Sequence, residues 1–207
     1  MTAPSTEKKT RAKRRKAWAM PVYPLCFPIT IEEEDGSTST ISEIPLRAFT
    51  VLEHRKALAT VGDDVEAQFE ALLALATGYD EEMIDKIKRP DFVSLGAILN
   101  DYIKLPASYF LERLPEDPDT VPLLVPIKGV MGTIDTLTLE VPALKATKIM
   151  RKMKGEYEPA DFISAHCTGL GMAELHMLSC PDWTQLQDRV DSFLNKSADY
   201  FQSATSR

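Results

Sequence analysis

The chain has 207 residues, enough for one large domain or for two small ones of roughly 90 residues each. Hydrophobic residues make up 44% and charged residues 27%, a balance that excludes a disordered chain and leaves enough apolar side chains for a core. The net charge is −7, yet Lys8 to Lys16 hold seven cations and no acid; subtracting those seven leaves −14 on the rest, a body that repels nucleic acid.

No apolar run reaches the ~18 to 20 residues that cross a bilayer, and no apolar stretch follows the N-terminal charges as it would in a signal peptide. The reading is a cytosolic protein with no membrane partner. Cys26, Cys167 and Cys180 form an odd, widely spaced set, which argues against a disulfide framework and for reduced thiols in or near the core.

In chain order, residues 1–20 are polar and basic with no hydrophobic period, and are expected to form a flexible tail. That tail either serves solubility or acts as an arm for an acidic partner or nucleic acid, with Arg14 and Arg15 as its candidate contacts. A first module is assigned to residues 21–112. Its apolar stretch Phe27 to Ile31, the turn Asp35-Gly36-Ser37 and the alternation from Ile41 predict a β-hairpin, which Pro45 ends or confines to an edge. After Thr50 the period becomes helical, with Leu52, Lys56 and Ala59 running into Val65, Phe69, Leu72, Leu73 and Ala76. Thr77-Gly78 closes that stretch, because glycine takes the left-handed conformation cheaply.

A short helix led by Asp80, Glu81 and Glu82 follows. A last helix opens at Pro90-Asp91 and buries Phe92, Leu95, Leu99, Tyr102 and Ile103. Residues 113–120, rich in acid and proline, read as a linker, and residues 121–203 as a second module with its turn at Lys128-Gly129. Self-similarity motivates this division. Thr77-Gly78 precedes Pro90-Asp91-Phe92 by the same spacing as Thr168-Gly169 precedes Pro181-Asp182-Trp183. Further matches pair Tyr102 with Phe193, Tyr109-Phe110 with Tyr200-Phe201, and Ile41, Ile44 and Leu46 with Ile134, Leu137 and Leu139, while Pro28-Ile29 is matched to Pro122-Leu123. The expected fold is therefore α+β, two tandem repeats, each a β-hairpin followed by about four α-helices.

No nucleophile elbow, P-loop, HExxH or dinucleotide fingerprint is present, so no catalytic residue, nucleotide or other cofactor is assigned. His166, Cys167, His176 and Cys180 lie within fifteen residues but lack zinc-ligand spacing, and their counterparts Leu75, Ala76, Asp85 and Arg89 could not bind zinc. A small buried Cys167, surface histidines and no metal are expected. Phe92 and Trp183 read as core. The pairs Tyr109-Phe110 and Tyr200-Phe201, at or just past helix ends, are candidate partner-binding residues. Met150, Met153, Met172 and Met177 read as core filler rather than as an adaptable groove.

The strand Pro28-Ile29-Thr30-Ile31, then Ile41-Ser42-Glu43-Ile44-Pro45-Leu46-Arg47, the Leu72 to Ala76 stretch with Thr77-Gly78, and Pro90-Asp91-Phe92 resemble the phage tail assembly chaperones of Mu-like and related tailed phages. The first module carries this likeness from Phe27 to Ile103. The second keeps Thr168-Gly169 and Pro181-Asp182-Trp183 but has Glu140 in the place of Arg47. The resemblance implies a non-enzymatic helper in the host cytoplasm that binds the tape-measure protein, supports assembly with the tail-tube protein, and is absent from the mature virion. The competing readings are a structural virion component (neck, tail-terminator or baseplate protein) and a small regulatory protein whose basic arm contacts nucleic acid.

Overall fold

The structure is a computed structural model that describes residues 18–33, 35–130 and 132–205. Arg14 and Arg15 lie outside them, as does most of the predicted tail. The described chain is α+β, with two antiparallel two-stranded sheets and helices after each. Strands β1 (Val22–Glu32) and β2 (Thr38–Pro45) precede helices α1 (Val51–Leu58), α2 (Val65–Thr77), α3 (Glu81–Asp85), α4 (Arg89–Lys104) and α5 (Ala107–Phe110). Strands β3 (Thr120–Gly129) and β4 (Gly132–Thr138) precede α6 (Leu144–Met150), α7 (Glu158–Thr168), α8 (Met172–Leu175), α9 (Cys180–Asn195) and α10 (Ala198–Thr205).

Each hairpin thus leads into five helices rather than about four. Leu105 and Lys196 leave helical geometry, and the chain restarts at Ala107 and Ala198, so both Tyr-Phe pairs stand inside a short helix of their own. The stripe from Leu52 to Ala76 is two helices, because the chain turns between Ala59 and Asp64 with Gly62 at φ 66°. Val65, read as part of that stripe, is exposed at the start of α2. In the second hairpin Gly129 pairs with Gly132, which moves the turn two residues beyond Lys128-Gly129.

The hairpins share a bulge that determines much else. On β1 the register jumps from Pro24 opposite Glu43 to Ile29 opposite Ile41, and on β3 from Pro122 opposite Thr136 to Ile127 opposite Ile134. Four residues on the long strand therefore face one on its partner. The sequences there are Pro24-Leu25-Cys26-Phe27-Pro28-Ile29 and Pro122-Leu123-Leu124-Val125-Pro126-Ile127. Pro28-Ile29 accordingly stands where Pro126-Ile127 stands, and not where Pro122-Leu123 does. Prolines suit the two ends of a bulge because they have no N–H to leave unpaired. Cys26 lies in this bulge and is exposed, not in the core.

The Thr-Gly pairs end α2 and α7 by one mechanism. Gly78 (φ 76°) and Gly169 (φ 69°) are left-handed caps whose N–H groups return to Ala74 and Ala165. The threonine hydroxyls work at both ends. Thr77 donates to the Leu73 carbonyl and accepts from Tyr79 N–H, and Thr168 does the same with Ser164 and Leu170.

Two cores form. One gathers Ile29, Ile44, Phe49, Leu73, Leu95, Leu99 and Tyr102; the other gathers Ile127, Leu137, Ile163, Leu175, Leu178, Leu186 and Val190. They meet at α9, whose first residue, Cys180, belongs to the first core. The chain between α5 and β3 has no helix or strand, and the predicted linker lies in it except for Thr120, the first residue of β3.

Candidate partner-binding surfaces

The surface carries apolar grooves, and a seam joins the two cores. The first groove, about 400 Å³, lies between residues 18–21 and the ends of α4 and α5. Trp18 stacks on Tyr102 with ring centroids 6.0 Å apart and meets Phe110 edge-on at 5.5 Å. Phe110 is thereby half-buried, while Tyr109 is 59% exposed at the groove wall.

The second groove, about 360 Å³, runs from Leu114, Pro115 and Pro118 across α9 to Tyr200. Here Arg189 takes the part that Trp18 plays in the first, with its guanidinium 4.7 Å from the Phe193 ring and 5.2 Å from the Phe201 ring. Its Nε bonds Asp119 at 2.6 Å. Phe201 packs on the second core, and Tyr200 is 44% exposed. Tyr109 and Phe110 therefore line the first groove, whereas only Tyr200 of the other pair lines the second. A third depression, lined by Val130, Ile134, Leu170 and Glu174, sits at the tip of the second hairpin.

The seam carries the strongest polar contacts. Arg55 on α1 forms a two-pronged salt bridge with Asp161 on α7 (2.8 and 2.9 Å), and His176 Nε2 lies 3.0 Å from the same carboxylate. The Arg55 guanidinium also lies over the rings of Tyr157 (4.2 Å) and Trp183 (5.0 Å). Burial opposes ionisation of Asp161, but Arg55 and His176 outweigh it and hold the carboxyl below its usual value. The backbone seals the joint. Val51 and Leu52 N–H donate to the carbonyls of Leu178 and His176, and Thr50 bridges Ser179. Thr184 Oγ1 donates to the Ile103 carbonyl, and Ser108 N–H to Gln185 Oε1. His176 is thus a half-buried seam residue rather than a surface histidine.

The cysteines are placed as core groups. Cys167 sits in the second core and Cys180 in the first, and burial pushes their thiols up to about 11 and about 12. Such thiols are poor metal ligands and weak nucleophiles at neutral pH. Among the described residues no cluster of three or more His, Cys, Asp or Glu is placed to hold a metal ion. Met150 packs on the second core, whereas Met172 and Met177 are exposed beside α8. Among the described residues no helix is long and apolar enough to cross a membrane.

Sequence reasoning did not find Trp18, Arg55, Asp161 or Arg189. Arg55 and Asp161 stand 106 positions apart and Arg189 and Asp119 70 apart, and Trp18 likewise bears on α4 and α5 from far away in the chain, at the edge of the basic tail. A local signal did exist for Asp91 and Asp182, which stand in the first turns of α4 and α9. Their carboxylates reach past their own helices to the strand bulges.

Residues 120–195 match the family model described as phage tail assembly chaperone proteins, E, or 41 or 14, so this segment is similar to that family. The match covers the second hairpin and its helices, whereas the sequence motifs had put the closer likeness in the first. No curated protein and no solved structure matches.

Proposed function

We propose that this protein is a non-enzymatic tail assembly chaperone that binds the phage tape-measure protein in the host cytoplasm and leaves before the virion is complete. The family match over residues 120–195 carries this reading. A tape measure is a long helical chain with apolar faces, and such a client fits grooves bordered by exposed aromatic residues on an acidic body. Tyr109 with Phe110 in the first groove, and Tyr200 in the second with Phe201 behind it, are its contact residues. Arg14 and Arg15 add a cationic contact for an acidic partner, and the tail-tube protein is a second client.

The chain is read here as two diverged copies of one module, joined at residues 113–120. The shared bulge, the buried aspartate that serves it and the Thr-Gly cap support that reading. Two linked sites on an extended client gain avidity without any new contact.

The test is co-expression with the tape-measure gene product from the same genome, followed by pull-down. A soluble complex that weakens when Tyr109 and Tyr200 are both replaced by alanine supports the reading. A tape measure that stays insoluble and uncaptured rejects it.

A further inference from the structure

The seam joins unlike surfaces. The N-terminus of α1 and the C-terminal end of α4 come from one half, and the α8–α9 corner and the start of α9 from the other. An interface of this kind leaves its two complements unused at the far sides of the molecule. α6 starts the second half's helices as α1 starts the first's, with Lys148 four residues after Leu144 as Arg55 is four after Val51. Glu70 precedes Thr77-Gly78 by seven residues, as Asp161 precedes Thr168-Gly169, and Asp85 precedes Pro90 as His176 precedes Pro181.

Burial marks which copy of each surface is covered. Val51 is 3% exposed and Leu144 66%. Ser179 and Pro181 are buried at the start of α9, whereas Lys88 and Pro90 are exposed at the start of α4, and Val93 is 58% exposed where Thr184 bonds Ile103. Val141 and Ile149 extend the apolar face around Leu144.

We propose that the protein associates head to tail with further copies of itself. The α6 face of one molecule docks on the α3–α4 corner of the next, as α1 docks on the α8–α9 corner within each molecule. The occupant is a second copy because the central charge pair keeps its sense: Lys148 meets Glu70 where Arg55 meets Asp161, and Asp85, in the place of His176, adds a second carboxylate for the lysine. This rests on the reading of the halves as diverged copies and goes beyond the binding of a tape measure. The contact between molecules is weaker than the seam, since a lysine lacks the two-pronged geometry of Arg55, and the exposed Lys88 and Arg89 stand where Ser179 and Cys180 are buried. A contact between unlike faces yields a ring, of two copies where four halves complete the circle and of more otherwise, or an open series.

Sedimentation velocity on the full chain across a range of concentrations tests this. The expected result is a mass that rises above the monomer with concentration. Lys148→Glu and Glu70→Lys, both at exposed positions, each move the association to at least about tenfold higher concentration, and the double variant brings it back. Leu144→Asp abolishes it while circular dichroism stays unchanged. A chain that remains monomeric throughout, or association indifferent to Lys148→Glu and Leu144→Asp, overturns the proposal. Tape-measure capture, measured on the same variants, reports separately on the chaperone reading.

Discussion

Asp91 and Asp182 perform the same task in the two halves: each carries its carboxylate from the first turn of a helix to two consecutive amides of a bulged strand. Asp91 accepts from Cys26 N–H (2.9 Å) and Phe27 N–H (3.0 Å), and Asp182 from Leu124 N–H (2.6 Å) and Val125 N–H (3.2 Å). A bulge strips those amides of ladder partners, and a buried amide left unpaired costs about 1–3 kcal/mol. Asp91→Ala and Asp182→Ala are each expected to destabilise the fold by about 2–5 kcal/mol, read from the urea midpoint at constant slope. A loss below that range would show that the amides of the bulges find other acceptors.

The two aspartates differ in their charge balance. Burial opposes ionisation of Asp91, but the N–H groups and the Tyr23 hydroxyl outweigh it and hold the carboxyl low. Burial dominates at Asp182 and pushes it from 3.8 to about 6, against Ser179 and the two amides. A raised folded value means that the folded state binds the proton more tightly, so this group's contribution to stability falls as pH rises from about 4 to about 6 and is flat above. Relative to Asp182→Asn, the wild-type protein should therefore gain stability as pH drops from 7 to 4, by up to about 3 kcal/mol at 1.36 kcal/mol per unit. Paired urea titrations at the two pH values measure the difference. Asp161 has the opposite sign: its folded value is lowered, so its contribution is present above about pH 4 and lost as pH falls further.

The Arg55–Asp161 bridge is nearly enclosed, with side chains 12% and 8% exposed. Removing one partner strands the other, so Arg55→Ala should cost about 3–5 kcal/mol, while Arg55→Met with Asp161→Leu should recover most of that. Thermal unfolding of the two single variants and the double variant forms the cycle. Additive losses would mean that the pair does not couple the halves.

Tyr109 stands 59% exposed, so Tyr109→Ala should change stability by no more than about 0.5 kcal/mol and still weaken tape-measure capture. Phe110→Ala should lower both, because its ring packs on Trp18 and Tyr102. Capture assays beside melting curves separate the two effects.

Local chemistry was legible in the sequence. The period of each helix, the Thr-Gly caps and the Pro-Asp helix starts all rest on neighbours a few residues apart. The bulge was not, because the register of a strand depends on its partner, and the second proline pair was matched four residues out of step. Of the candidate site residues, the Tyr-Phe pairs were visible as aromatics near helix ends. The seam was invisible, since Arg55 and Asp161 look like ordinary surface charges until tertiary packing brings them together.

Quantitative mass spectrometry of tail-assembly intermediates and of purified virions tests the chaperone account most directly. The account predicts this chain bound to the tape measure in intermediates and missing from finished particles. Its presence in purified virions at a fixed ratio to the tail-tube protein would contradict the account and favour a structural component of the neck, tail terminator or baseplate.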